Sequence, residues 1–599
     1  TPIHKSGSSL DASNYRGICV SSCLGKLFCS ILNTRLINYA TENKLIHPTQ
    51  IGFMPGNRTA DHAFTLKTLH DKYVRQSNGG KIYACFVDFK KAFDSIWHQG
   101  LYYKLLQNKI GGRFYDLIKD IYSNTKCAIK LSDNRTPFFP YKKGVRQGCV
   151  LSPMLFNLYI NEIPELFKNT LSNPLVLPNG TTINSLLYAD DLVILSKSES
   201  GLQNCLDQLH QWCEKWLMEI NPKKTKVMIL QKQNSKSPST LQFHIGSNKI
   251  DITKEYTYLG LKLNNNGNFK LAQKQLSEKA LRALYKIRKH VDFHKTSPKM
   301  ATKIFDAIIS PILLYNSEVW GAYEKTDFNK WDNTEIEKTH LRFCKLYLGV
   351  NKKASNIACR GELGRFPLLM SVQKNIINYL KHLLQLPDDS IVRQALNVSI
   401  TLHDQGKDSY YTNVSNMLKK YYPSESHLKI AIPNYNTTTI VNKIKEKYQE
   451  FWKHKMTNSS KLSFLCTFKS EYKLEKYLTT IKNPNIRKTF TRFRISNHKL
   501  EIERGRYENI PREQRTCKMC DSGEIEDEFH FTFKCKKFDH LRENSNNILK
   551  NRFQLDATDE CKKKLLQHTT SCEDPVAIAL FSKFVFDCFN ERENGLKSN

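Results

Sequence analysis

The run Leu186-Leu187-Tyr188-Ala189-Asp190-Asp191-Leu192-Val193-Ile194-Leu195 sets two adjacent acids inside an otherwise apolar stretch. Carboxylates in such surroundings are costly unless a cation meets them. The two β-rich halves predict a tight hairpin with both acids at its turn. Upstream, Lys81–Phe89 (KIYACFVDF) is a second β-rich run, ending on Asp88. One such acid is usually capped or salt-bridged. Two sites of this kind, each at the end of a strand, favour a shared divalent-metal centre. Carboxylates holding Mg²⁺ leave room for phosphates and water, so phosphoryl transfer is the expected reaction class.

Charge narrows the substrate. Among 599 residues, 91 Lys and Arg face 57 Asp and Glu, a net +34, which calls for a polyanionic partner, nucleic acid or an acidic membrane surface. No apolar run approaches the ~18–20 residues of a membrane span, and the aromatic and aliphatic content excludes global disorder. Seventeen scattered cysteines in a chain of this length predict free, mostly buried thiols in a reducing compartment. The sequence opens on Thr1 with no Met or signal core, which predicts a piece of something longer.

Gln231–Thr240 is polar and reads as an exposed loop. From Phe269 to Val291, Leu276, Ala280, Leu284, Ile287 and Val291 form one apolar helical stripe, and Lys279, Arg282, Lys286 and Lys289 repeat the rhythm on another side. A solvated face and a phosphate-tracking helix both fit those cations. Ile304–Tyr315 and Leu368–Leu386 predict further helices, and residues 405–480 predict loosely packed ones.

Phe86-Val87-Asp88 through Phe93-Asp94, followed by Tyr188-Ala189-Asp190-Asp191, resembles motifs A and C of the reverse transcriptases of non-LTR retrotransposons. Five flanking blocks agree in order: His4-Lys5 with Asn14-Tyr15-Arg16, Gln50–Arg58, Gly144–Pro153 (motif B), Asn221–Thr225 (motif D) and Tyr258-Leu259-Gly260 (primer grip). The resemblance implies an α+β right-hand polymerase, with fingers and palm over 1–265, a thumb over 266–345, a helical region over 346–485 and a basic, zinc-binding segment over 486–599. It implies two Mg²⁺ ions on Asp88, Asp190 and Asp191, with the Phe89 carbonyl as a further ligand. Phe93 falls at the family's steric gate, where a ring excludes a ribose 2′-OH, although core packing would also explain it. Gln147 and Gly148 would lie beside the nascent base pair. Arg58 is the candidate triphosphate clamp and Lys224 the candidate general acid, with Lys223 and Lys226 as rivals. Asp94 reads as structural, capping the helix that follows or bonding backbone. The implied partners are an RNA template, a DNA primer or target and deoxynucleotides, with the nucleus and cytoplasm as the setting and no membrane.

Near the C-terminus, Cys517, Cys520, His530 and Cys535 follow C-x2-C-x9-H-x4-C, a donor set suited to zinc. Cys561, Cys572 and Cys588 lack such pairing and read as core thiols. Just upstream, Arg487–Tyr507 interleaves cations with rings, which predicts a nucleic-acid surface including Arg492 and Arg494, unless the rings pack inward. The family also needs a nuclease. None is legible after Cys535, so an upstream endonuclease is expected to be missing. The competing readings are a non-catalytic nucleic-acid-binding relic and an intron-maturase-like enzyme.

Overall fold

A strand with apolar side chains on both faces is stable only when both are covered. Ile82–Val87 (β1) is such a strand: all of its residues but Tyr83 are buried. It lies inside a six-stranded sheet with Ser185–Tyr188 (β2), Asp191–Ser196 (β3), Lys226–Leu230 (β4), Phe243–Ile245 (β5) and Asn248–Ile252 (β6), in the order β2-β3-β1-β4-β6-β5. β1 runs antiparallel to both neighbours, with Val87 opposite Leu192 and Phe86 opposite Lys226. The pair β4–β6 is parallel. The sequence-predicted hairpin is present as β2–β3, with Tyr188 opposite Asp191 and a two-residue turn between them. Next along the chain, Glu255–Tyr258 (β7) and Leu261–Asn264 (β8) form a second hairpin. Its turn residues Leu259 and Gly260 both have positive φ (47° and 80°), the backbone that matches strand twist in a two-residue loop. Tyr256 stacks on Phe86 at 4.4 Å, so this hairpin covers one face of β1.

The computed structural model describes residues 1–599 apart from 6, 78–79, 132, 169, 234, 236–240, 422–435, 544–557, 572–573 and 597–599. Most of the expected loop Gln231–Thr240, part of the 405–480 stretch and Cys572 therefore lie outside the described residues. The chain divides into two compact units. The first comprises Thr1–Ala272, Glu318–Tyr323 and Asn378–Leu418, and the second comprises Gln273–Ser317, Glu324–Ile377 and Lys419–Asn599.

In the first unit, helix Thr59–His70 (α1) is buried along nearly its whole length, charged residues included. Each charge has a local answer. Lys67 Nζ lies 2.5 Å from Asp71 Oδ1, Tyr323 donates to Asp71 Oδ2 at 2.7 Å, and Tyr379 donates to Asp61 Oδ1 at 2.9 Å. Ala92–Ser95 (α2) is one turn after Asp88, and Ser152–Ile160 (α3) is almost wholly buried, with Pro153 in its first turn where a missing N–H is harmless. Glu199–Lys215 (α4) turns Leu202, Cys205, Leu206, Leu209 and Trp212 toward the sheet. Lys270–Arg288 (α5), which belongs to the second unit from Gln273 on, buries Leu276, Ala280 and Leu284 as its stripe requires, leaving Lys279, Arg282, Lys286 and the adjoining Lys289 exposed. Ile391–Asp404 (α6) packs against α1.

Among the described residues, the second unit is helical apart from one β-bridge, Thr516–Ile525. Its helices Pro484–Arg494 (α7) and Pro575–Gly595 (α8) pack on each other. The helix expected over Ile304–Tyr315 is broken into Pro298–Ile304, a wider turn at Phe305–Ile309 and Ser310–Leu313. Pro311 explains the interruption, because it cannot donate to the helical ladder. No described helix is long and apolar enough to cross a membrane.

Candidate active site

Asp88 leaves the end of β1, and Asp190 and Asp191 occupy the turn and first residue of the adjacent β2–β3 hairpin. The backbone of Asp88 is fixed from motif D: its N–H donates to Thr225 Oγ1 at 3.1 Å and its carbonyl accepts from Asn221 N–H at 2.7 Å. Lys90 N–H donates to the Glu219 carbonyl, so the ladder bonds flanking the Phe89–Ile220 bridge are made by neighbours of Phe89. The carbonyl of Phe89 therefore turns away from that strand, as a ligand role requires.

Asp88 acts on both acids of the hairpin. Asp190 is held above the usual carboxylate range by burial and by Asp88, with Arg16 and Lys5 opposing the shift. The Asp191 side chain reaches solvent at the strand start, yet the protein mass around it, with Asp190 and Asp88, pushes its carboxyl up to about 6. Acids whose proton affinity is raised by burial and by a neighbouring carboxylate make a site a hard cation can relieve. The donors are oxygens only, which fits Mg²⁺.

The turn is set from the Gln50 block. Ala189 sits at φ +55°, and buried Gln50 accepts its N–H at 3.0 Å. That contact is not legible in the sequence, because nothing in a Gln-Ile-Gly triplet names the strand it will meet.

Phe93, on α2, is half-buried, with one face stacked on Phe156 at 4.6 Å and a T-shaped contact with the exposed Phe53. Packing and partial exposure coexist. The motif B turn lies alongside, since Val145 N–H donates to the Phe93 carbonyl at 2.7 Å. Gly144 and Gly148 take φ of +90° and +103°, and a Cβ on Gly148 would stand 2.8 Å from the Cys19 carbonyl, so glycine is required there. Gln147 donates through Nε2 to Asp94 Oδ1 at 2.9 Å. Asp94 therefore anchors a motif B side chain, where capping of the following helix or backbone bonding was expected.

Of the three candidate lysines, Lys226 is taken by Asp251 at 2.6 Å, whereas Lys224 is exposed with Nζ 3.9 Å from Asp88 Oδ2. Lys223 is exposed. Arg58 precedes α1 with its N–H on Asp61 Oδ2 at 2.7 Å and its side chain exposed. Arg16, on a two-stranded ribbon at the start of the chain, and Lys5, just after its first strand, are exposed cations whose field reaches Asp190. Their motif is legible in the sequence, but their effect on the acid is not.

Residues 3–263 match the sequence profile of the family described as reverse transcriptase (RNA-dependent DNA polymerase). They form a reverse transcriptase domain. The domain is similar to the probable RNA-directed DNA polymerase from transposon BS of Drosophila melanogaster, 26% identical over 338 residues, which are 55% of this chain and 36% of that one. The RNA-directed DNA polymerase from mobile element jockey of the same species is 26% identical over 55% of this chain and 35% of its own. The Pol polyprotein from the type-2 retrotransposable element R2DM of D. melanogaster is 29% identical over 42% and 24%. The matched part spans about a third or less of these relatives. The expected resemblance to non-LTR reverse transcriptases holds. Among solved structures, telomerase from Candida tropicalis with a telomeric RNA fragment aligns over 63% of this chain and 57% of that one, at 13% identity and a TM-score of 0.32.

Beyond the reverse transcriptase domain, Cys517, Cys520, His530 and Cys535 bring their donor atoms within 4.8 Å of one another. Cys517 Sγ and Cys535 Sγ are 3.9 Å apart, close to the ~3.8 Å edge of a tetrahedron with ~2.3 Å zinc–sulfur bonds. His530 turns Nε2 toward Cys520 at 3.5 Å and meets Glu524 through Nδ1 at 2.9 Å, the carboxylate support that fixes a ligating imidazole. The set fits zinc.

The basic segment needs correction. Arg494 is fully buried, in bidentate contact with Glu362 (2.9 and 3.0 Å) and 3.0 Å from Glu475, so it cannot reach a phosphate. Arg487 is also buried, and Phe490 and Phe493 pack inward. Arg492 remains exposed while bonding the Gly349 carbonyl at 2.8 Å. Cys588 is a core thiol as expected, but Cys561 is exposed.

Proposed function

We propose that this chain is an RNA-directed DNA polymerase that adds deoxynucleotides to a primer 3′-OH in target-primed copying of a retrotransposon RNA. The observation that carries this reading is the juxtaposition of Asp88, at the end of β1, with Asp190 and Asp191 at the adjoining hairpin, each of the latter pair raised in proton affinity by burial and by the neighbouring carboxylates. Two Mg²⁺ ions on these carboxylates and the Phe89 carbonyl would activate the attacking hydroxyl and neutralise the leaving pyrophosphate. Lys224, exposed and 3.9 Å from Asp88, would hand a proton to that leaving group. Lys5, Arg16 and Arg58 offer positive charge to the triphosphate. Phe93, packed against Phe156, excludes a 2′-OH. Gln147 and Gly148 border the base pair.

The same reading makes 1–265 the fingers and palm of a right-hand polymerase, 266–345 the thumb with Lys279, Arg282, Lys286 and Lys289 following the duplex backbone, 346–485 a helical region, and 486–599 an element holding one zinc ion, with Arg492 toward nucleic acid. The free thiols support an intracellular setting.

Primer extension on poly(rA)/oligo(dT) tests the proposal. The chain should incorporate dTTP and reject UTP, and Asp190→Asn should lower incorporation at least ~100-fold while binding the hybrid as before. Full activity in Asp190→Asn would refute the carboxylate assignment.

A further inference from the structure

The loop after Thr49 touches two parts of the reaction centre at once. Gln50 is buried, and its Oε1 accepts the N–H groups of Ala189 (3.0 Å) and Gly52 (2.9 Å), while its Nε2 donates to the Ala189 carbonyl at 3.3 Å. Ala189 at φ +55° lies in a region that a residue with a Cβ occupies only when its surroundings hold it there. A Cβ on Gly52 would stand 2.2 Å from the Ala189 nitrogen, so the loop and the catalytic turn are in direct backbone contact. The following residue, Phe53, is also left-handed at φ +60°, an uncommon conformation for a bulky side chain. It presents a ring, 50% exposed, in T-shaped contact with Phe93, the centroids 6.3 Å apart. Helix α3 fixes both ends of this arrangement: Asn157 Nδ2 donates to the Gly52 carbonyl at 2.7 Å, and Phe156 stacks on Phe93.

We propose that Gln50–Phe53 is a positioning strut, in which Gln50 sets the turn that carries Asp190 and Phe53 holds the ring of Phe93 against the incoming sugar. The inference rests on the polymerase reading above. Gln50 acts through Ala189 and touches no reacting group. Its amide replaces what the turn would otherwise require from water, and it confines the Asp190 carboxylate to one place relative to Asp88. Mg²⁺ demands near-ideal geometry, so a loosened turn weakens the site before it weakens the fold. Phe53 fills the space into which the Phe93 edge would otherwise swing. That couples sugar discrimination to the same loop.

The test uses the full chain with Gln50→Met, which keeps volume and removes all three bonds, Gln50→Glu, which keeps the acceptor for both N–H groups, and Phe53→Leu. In metal-free protein without nucleic acid, hydrogen exchange of the Ala189 amide should quicken about tenfold in Gln50→Met and stay protected in Gln50→Glu. Mn²⁺ binding, followed by electron paramagnetic resonance, should weaken about fivefold in Gln50→Met at an unchanged melting temperature. Phe53→Leu should lower the dTTP-to-UTP preference about tenfold, with Mn²⁺ binding unchanged. Wild-type exchange and Mn²⁺ affinity in Gln50→Met would sink the Gln50 half, and an unchanged nucleotide preference in Phe53→Leu would sink the other. Should Gln50→Met fail to fold, an unprotected Ala189 amide in Gln50→Glu overturns the Gln50 half by itself. The exchange and Mn²⁺ measurements need no polymerisation, so an inactive wild-type chain would refute the polymerase reading and leave both of them decisive for Gln50.

Discussion

Asp61 is fully buried beneath Arg58, and burial pushes its carboxyl up to about 6 despite hydrogen bonds from Arg58 N–H and the Tyr379 hydroxyl. His382 lies 3.8 Å away with its own proton affinity lowered by burial, and Glu318 is the other acid nearby, so no cation rescues the charge fully. A carboxyl bound more tightly to its proton in the folded chain than in the unfolded one contributes stability below pH ~4, and that contribution is lost as pH rises through about 6. An amide can accept from Arg58 N–H and donate to the Tyr379 oxygen, so Asp61→Asn should remove the dependence. Between pH 5 and 7.5 the wild-type chain should lose about 1–2 kcal/mol relative to Asp61→Asn, read by thermal melts of both proteins. Parallel melts would contradict the assignment. Arg494 makes the complementary case. Truncating it leaves Glu362 buried without its bidentate partner, so Arg494→Ala should destabilise by about 3–5 kcal/mol in denaturant titration. Arg492→Ala should leave stability within about 0.5 kcal/mol and weaken nucleic-acid binding instead. A sequence cannot separate these two arginines, two residues apart in one basic run. What separates them is which face of α7 meets Glu362, an acid more than a hundred residues away.

At the scale of elements, β1 and the β2–β3 hairpin are readable in the sequence because their pattern is local: an apolar run, an acid at its end and a two-residue turn. Helix α5 is readable for the same reason, its stripe recurring at helical spacing. The Gln50 contact and the Gln147–Asp94 bond are not, since each is made between segments whose meeting depends on the whole sheet. The cysteine cluster stands between these cases: its spacing names the donors, and only the fold brings them within 4.8 Å of one another. Few apolar side chains support that element, chiefly Phe531 and Phe538, so its order should depend on the ion. The purified chain should carry about one zinc per molecule by elemental analysis. Cys520→Ser should lose most of it and become protease-sensitive between residues 516 and 538, while poly(rA)/oligo(dT) extension persists. Zinc-free protein with unchanged protease resistance would rule out a structural metal there.

At the scale of the molecule, the matched reverse transcriptase profile ends at residue 263, but the packing of the first unit does not. Glu318–Tyr323 and Asn378–Leu418 return to it and complete the surroundings of α1. That helix buries Phe64, Leu66 and Leu69 together with Asp61, Lys67 and the adjoining Asp71, and the hydroxyls that satisfy those acids come from Tyr379 and Tyr323. Cutting the chain after residue 272 would expose the apolar side chains, at roughly 1.5–3 kcal/mol each, and leave two buried acids short of a donor. Such a loss is comparable with the whole stability of a typical domain, about 5–15 kcal/mol. The fragment 1–272 contains every carboxylate of the proposed active site and all seven motif blocks. If motifs alone made the enzyme, it would extend a primer. The packing says otherwise: the fragment should bind a hydrophobic dye, lack a cooperative melt and incorporate no dTTP under conditions where the full chain is active. A cooperative, active 1–272 fragment would show that the returning segments are dispensable.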